Sequence, residues 1–500
     1  MAKPLMVQGT MSNAGKSLLV AGLARVLVQD GVRVAPFKSQ NMALNSFVTR
    51  DGCEMGRAQA MQAEAAGIEP DVAMNPILLK PEGARGSQVI VSGRAIGTMP
   101  AREYFSYRRS LIPTIREAYD RLAADFDVVL VEGAGSPAEI NLQRDDIVNM
   151  GLARLIDAPV LLAGDIDPGG VFAQLYGTVA LLDEADRARV RGLVVNKFRG
   201  DASILKPGLK PLEELCGVPV LGVVPYLDID LDDEDSLSSR LGARGHDRAI
   251  DVAVVRLPHL SNFTDFDPLM RHPAVGLRYV ERAEDLGRPD LLVLPGTKST
   301  LADLAWLRAT GIAACALALA DQGTPVLGIC GGYQMLGEGI DDPLSVEGGG
   351  SAPGLGLLPI RTTFAERKHL TQTELSLHPG MGVFSCWDGL VAHGYEIHAG
   401  DTRVDAAPAG SVREADGAVR MHGAVRGNVL GTYLHGLLDD GCMVDALVGA
   451  LLHRRGLPAS TVPSAADARS HKDHQYDLLA DAVRAALDMD AVYRIIEQGA

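Results

Sequence analysis

From the start of the chain to residue 225, short apolar runs alternate with stretches of helical period. The runs are LMVQ (5–8), VRVAPF (32–37), DVVLVEG (127–133), PVLLAGD (159–165), GLVVNKF (192–198) and PVLGVVP (219–225). Most are apolar almost without interruption, the pattern of parallel strands covered on both faces. Between the first two, GKSLLVAGLARVLVQDG places apolar residues at helical spacing and closes on Gly31, a residue suited to a helix C-terminus. Strand alternating with helix predicts a doubly wound α/β domain over residues 1–227.

The pattern then breaks. Residues 228–250 are acidic, then rich in Ser and Gly, and read as a linker. A second α/β series follows over 251–445, with strand candidates DVAVVRLPHL (251–260), DLLVLPG (290–296) and TPVLGIC (324–330). VEGGGSAPGLGLL (346–358) reads as a Gly-rich loop. Residues 446–500 read as a helical C-terminal extension, with apolar positions at helical spacing in DLLADAVRAALDMDAVYRIIEQ.

Composition narrows the function classes. The chain has 500 residues, too many for one core, so the two-domain reading agrees with its length. A net charge of −16 argues against nucleic acid or an anionic membrane as the main partner. No apolar run approaches a bilayer span, and the opening MAKPLMVQGT turns into strand and loop without a secretory pattern. The cysteines at 53, 216, 315, 330, 386 and 442 form no CxxC pair, as expected of a reducing cytoplasm.

Two stretches carry chemistry. The first, GTMSNAGKS (9–17), joins a strand to a helix. Backbone N–H groups at such a helix start cradle phosphate, and the helix dipole favours negative charge there. Lys16 is expected to reach the outer phosphates and Ser17 to offer its hydroxyl to Mg²⁺, which makes ATP the expected cofactor. Thr10 occupies the slot of the usual first glycine; Asn13 and Gly15 complete the loop. Glu132, closing the apolar run DVVLVEGAG, is a candidate second Mg²⁺ ligand. Asn196, at the end of VVNKF, is either an adenine reader or ordinary loop polarity.

The second is TPVLGICGGYQMLG (324–337). An apolar run leads into Cys330, then Gly331-Gly332, then a helix, the geometry of a nucleophile elbow. A helix N-terminus favours the thiolate, the nucleophilic form of cysteine. The nucleophile needs a base and an oxyanion site. His435, ending an apolar run in GNVLGTYLHGLL, is one candidate base; His393 and His398 in HGYEIHAG compete with it. Gly296 and Thr297 in LPGTKS, with Gly331, are candidate oxyanion donors.

These motifs share a family. GICGGYQMLG, GYEIHAGDT and GTYLHG resemble the class I glutamine amidotransferase domain of the cobyrinic and cobyric acid synthases. GTMSNAGKS and VEGAGS resemble the dethiobiotin-synthetase-like P-loop ATPase domain of the same enzymes. PFKSQNMALNSFV (36–48), EMGRAQAMQAEAAG (54–67) and MNPILLKP (74–81) look like the cobyric acid branch. The resemblance implies that Cys330 is the glutaminase nucleophile and His435 its base. It implies that Lys16, Ser17 and Glu132 bind MgATP, that Glu54 is a further Mg²⁺ ligand and that Lys38 faces substrate. Ordinary class I amidotransferases carry a Glu two residues after the catalytic His; here Leu437 stands there, which leaves Glu396 a weak candidate to orient His435.

The implied reaction unites the two stretches. A carboxylate does not react with ammonia in water until ATP converts it to an acyl phosphate, and Cys330 would liberate that ammonia from glutamine. Neutral ammonia would need a shielded route, since bulk water at pH 7 protonates it. The implied substrate is adenosylcobyrinic acid a,c-diamide, amidated at its b, d, e and g carboxylates. Lys38, Lys80 and Arg85 are candidates to meet this polyanionic corrinoid. Self-association into a homo-oligomer is left open. The related a,c-diamide synthase is the alternative within the class. A nucleotide switch of the partition-ATPase kind shares the variant loop but leaves the Cys330 half unexplained.

Overall fold

In the computed structural model, residues 2–82, 86–231, 248–414, 417–458, 464–465 and 467–500 are described. The chain divides into two compact units. One comprises Met1–Ala43, Cys53–Asp232 and Lys472–Ala500; the other, Leu44–Gly52 and Asp233–His471.

Each apolar run predicted before residue 225 supplies one strand of a six-stranded parallel sheet in the first unit. The order across it is Val220–Pro225, Val190–Phe198, Val160–Asp165, Lys3–Gly9, Val128–Glu132 and Val34–Phe37. Lys3–Gly9 is therefore central, and Val7 stands in register with Glu132 on the neighbouring strand. The loop after Gly9 and the carboxylate of Glu132 meet at the carboxyl ends of adjacent strands, where open α/β sheets bind ligands. A smaller sheet, Gln40–Met42, Ile77–Pro81, Ser87–Val91 and Arg94–Met99, belongs to the same unit.

The C-terminal helices depart from the expected extension. Helix Gly441–Arg454 buries Val444, Leu447, Val448 and Leu451 in the core of the second unit. From Lys472 onward, the helices instead bury Leu479, Ala480, Val483, Val492 and Ile495 in the core of the first, against Leu19, Leu23 and Leu27. Gly22 makes the close approach possible, because a Cβ there would lie 2.7 Å from the Val483 side chain. Arg25 pairs with Asp477 at 2.8 Å, and the Tyr476 hydroxyl donates to Glu64 at 2.9 Å. Helical period reveals an apolar stripe but not the core that receives it. Of the expected linker 228–250, residues 232–247 lie outside the described residues, as does Arg85.

The second unit has its own mainly parallel sheet. The order is Val275–Val280, Ile250–Val255, Leu291–Leu294, Val326–Ile329, Val429–Thr432 and Ala424–Arg426, only the last pair being antiparallel. A further sheet is built around the long antiparallel pair Ile360–Leu377 and Val391–Val404. Part of the stretch read as a Gly-rich loop forms a strand in it: Gly350–Pro353 pairs with Gly339–Asp342 through backbone bonds that require no particular side chain. Among the described residues no single helix is long and apolar enough to cross a membrane; helices Thr300–Ala309 and Ile312–Asp321 would pass only as a pair bent by 83°.

Leu479 is buried against the helix that carries Lys16. Leu479→Ala is expected to destabilise the first unit by about 2–5 kcal/mol, measured as a lowered urea midpoint for the transition that nucleotide protects. A C-terminal extension without a packing role would leave that midpoint unchanged.

Candidate functional site

The phosphate loop is held in shape before any ligand arrives. Gly15 has φ 83°, and a Cβ there would meet the Asn196 side-chain nitrogen at 2.2 Å, so glycine is required on both counts. Asn13 also takes a left-handed conformation. The Asn196 amide donates to Ala14 O at 2.8 Å, the Lys16 ammonium to Met11 O at 3.0 Å, and the Thr10 hydroxyl to Gln174 Oε1 at 3.1 Å. Asn196 thus grips the loop from the end of a neighbouring strand.

Glu132 is the focus of this site. It is buried, and donors surround it: the Ser17 hydroxyl at 2.9 Å, the Lys38 ammonium at 2.8 Å and the Gln62 amide at 2.6 Å. Ser17 and Glu132 come together as their motifs predict, and a hydroxyl beside a carboxylate is an oxygen set that suits Mg²⁺. Lys38, expected to face substrate, is buried and bonded to Glu132, so it supplies positive charge to the same carboxylate. Glu54 is held by Lys80 at 2.6 Å. Gln62 carried no signal in the sequence, since a polar residue within a helix is ordinary.

In the second unit, strand Val326–Ile329 delivers Cys330 to the start of helix Gly331–Met335. Cys330 has φ 52° and ψ −110°, a strained backbone that costs about 1–3 kcal/mol. Its N–H donates to Thr432 O at 2.8 Å on the adjoining strand, which helps to hold the turn. Neither following glycine could carry a side chain without displacing neighbours. A Cβ on Gly332 would lie 1.9 Å from Leu294 O, and one on Gly331 would lie 2.6 Å from the Thr297 methyl and 3.2 Å from Thr297 N. Gly331 and the Thr297 N–H are therefore close neighbours. A Cβ on Gly296 would lie 3.2 Å from the His435 ring. The sequence candidates Cys330, Gly331, Gly296, Thr297 and His435 converge on one place.

His435 is buried, and its Nδ1 lies 2.7 Å from Asp265 Oδ2. The other Asp265 oxygen accepts the N–H of Gly436 at 3.1 Å. Tyr395 stacks on the imidazole, ring centroids 5.3 Å apart. Burial alone would lower the His435 pKa; the Asp265 charge and hydrogen bond, with a smaller contribution from Cys330, outweigh it and raise the value to about 10. Nε2 lies on the side of the ring away from Asp265.

Asp265 was not legible in the sequence. It lies in SNFTDFD, a short polar turn with no motif, 170 residues before His435. Glu396 serves a different group. Burial would raise its pKa, but the neighbouring imidazoles of His398 and His422 and the charge of Arg420, whose guanidinium donates to Oε1 at 2.7 Å, hold it well below the usual carboxylate range. His398 stacks on Tyr433 at 3.6 Å, while His393 is exposed and pairs with Asp440. Leu437 is buried in the apolar core.

Both units match known families. Residues 5–239 match the CobQ/CobB/MinD/ParA nucleotide binding domain, and residues 251–442 the CobB/CobQ-like glutamine amidotransferase domain. Together they define a glutamine-hydrolysing ligase with a nucleotide-binding domain. Among curated relatives, a cobyric acid synthase of Ruminiclostridium cellulolyticum is 52% identical, covering 100% of this chain and 98% of its own. Those of Lachnoclostridium phytofermentans and Citrobacter koseri are each 51% identical, covering 100% of this chain and 100% and 99% of theirs. The chain belongs to the cobyric acid synthase family.

Asp265→Asn removes the charge that keeps the imidazolium. Glutamine hydrolysis is expected to fall by about 10²–10⁴-fold in kcat, read in a glutamate-release assay. The raised His435 pKa also contributes stability to the folded protein. That contribution is fully present below pH 6.5 and disappears as pH rises through about 10. The wild-type advantage over Asp265→Asn in urea unfolding should shrink across the same window.

Proposed function

We propose that the chain converts the b, d, e and g carboxylates of adenosylcobyrinic acid a,c-diamide to amides, using ATP to activate each acid and glutamine as the nitrogen source. The observation that carries this reading is the Cys330–His435–Asp265 constellation in a chain whose other unit holds a preformed phosphate loop.

Cys330 attacks the side-chain amide carbon of glutamine as the thiolate that an imidazolium partner stabilises. The N–H groups of Gly331 and Thr297 receive the oxyanion. His435, protonated at rest, gives its Nε2 proton to the departing ammonia, leaving a thioester on Cys330. Neutral His435 then takes a proton from the water that attacks the thioester, and glutamate leaves. Asp265 fixes the ring through both steps and compensates its positive charge.

In the first unit, backbone N–H groups of the loop and Lys16 hold the phosphates of ATP, so that the γ-phosphoryl group passes to a substrate carboxylate oxygen. Ammonia attacks the acyl carbon, and phosphate departs with the former carboxylate oxygen. Ser17 and Glu132 would hold Mg²⁺, which neutralises charge on the phosphates when bound. Lys38, held beside Glu132, would place a positive charge near a phosphate or corrinoid carboxylate.

Mass spectrometry of the corrinoid after incubation with MgATP and glutamine tests the proposal. Conversion of the b, d, e and g acids to amides is the expected result; an unchanged corrinoid mass defeats it. Cys330→Ala should lose the glutamine-dependent reaction and keep the one driven by ammonium salts. Glu132→Gln should show the reverse loss, retaining glutamine hydrolysis while amidation from either nitrogen source disappears.

A further inference from the structure

The stretch 36–48 distinguishes this branch of the family, yet the reaction above uses only its Lys38. Residues Leu44–Gly52 belong to the second unit, although the chain on both sides of them belongs to the first. Asn45, Ser46, Val48 and Thr49 are buried. Their partners converge on the imidazole of His435 from two directions.

The first direction runs through Asn262. Asn45 Oδ1 accepts the Asn262 N–H at 2.8 Å, and the Ser46 N–H donates to Asn262 Oδ1 at 3.2 Å. Asn262 has φ 52°, a conformation that costs energy in any residue but glycine and so needs support. It precedes the short helix Phe263–Phe266, and its carbonyl accepts the N–H of Asp265 at 3.1 Å. Asp265 is the carboxylate that orients His435. The second direction runs through Tyr395. Its hydroxyl donates to Ser46 O at 3.0 Å, its ring lies against Phe47 with centroids 5.4 Å apart, and its other neighbour is the His435 ring.

We propose that Leu44–Gly52 is a positioning element of the glutaminase: Asn45 fixes the turn that carries Asp265, Phe47 and Ser46 fix Tyr395, and together they set the orientation of His435. This rests on the reading of Cys330 and His435 as the glutaminase pair. Lys38, bonded to Glu132, precedes the element, and Glu54, bonded to Lys80, follows it.

The test uses the full-length enzyme with glutamine or ammonium chloride as nitrogen source. Asn45→Ala is expected to lower glutamine-dependent kcat about 10- to 100-fold, the scale of a small misplacement of a catalytic group, with KM for glutamine little changed. Ammonia-dependent amidation should stay within about twofold of wild type, a change no larger than a few tenths of a kcal/mol. Asn45→Asp, which keeps an acceptor oxygen for the Asn262 N–H, should recover most of the loss. Should Asn45→Ala lose both activities through misfolding, Phe47→Leu, which preserves bulk and removes the ring, decides by the same split. Glutamine-dependent kcat at the wild-type level in a folded Asn45→Ala or Phe47→Leu overturns the proposal. So does equal loss with both nitrogen sources in folded Phe47→Leu. Glutamine hydrolysis surviving in Cys330→Ala would instead overturn the underlying assignment of the nucleophile.

Discussion

A buried carboxylate governs what the imidazole of His435 can do. Asp265 is almost fully withdrawn from water, and a charge in that position is tolerable only with close partners. It finds them in His435 Nδ1 and the Gly436 N–H. Because Nδ1 is committed to this bond, the ring turns Nε2 away from Asp265. The stacked ring of Tyr395 limits rotation about the remaining axis. The role filled in ordinary class I amidotransferases by an acid two residues after the histidine is filled here from a distant turn, and the vacated position packs Leu437 into the core. The chemistry requires a carboxylate against the ring and is indifferent to its place in the sequence.

The first unit obeys the same rule with the partners reversed. Glu132 is a buried anion ringed by Ser17, Lys38 and Gln62, all of which donate to it. Such a shell keeps the Glu132 oxygens at the carboxyl end of the central strands. Both sites therefore rest on one buried acid whose neighbours are set by strand register and by glycines that admit close approach.

Much of this was legible in the sequence, for identifiable reasons. Parallel strands covered on both faces announce themselves as unbroken apolar runs, and the strands of the first sheet fall where those runs lie. Cys330 and the phosphate loop were visible because sharp turns need small residues in fixed positions. Asp265 and Asn262 were not visible, because their contacts join segments far apart in sequence and no local pattern marks them; Tyr395 lies in the motif GYEIHAGDT, but its stacking on His435 was not legible there. The last helices are legible as helices, but the core that receives them is not, since Leu479 and Val483 form a stripe that would suit either core. The strand Gly350–Pro353 was read as loop because its pairing depends on backbone groups alone.

The interleaving of the chain has a consequence for biogenesis. Residues from Lys472 to the end complete the core around the helix that starts at Lys16, so the ribosome finishes the nucleotide unit last. Domains tend to fold as they emerge during synthesis, and the uninterrupted stretch that builds most of the glutaminase emerges earlier. A truncated product lacking the final helices would leave Leu19, Leu23 and Leu27 without their cover.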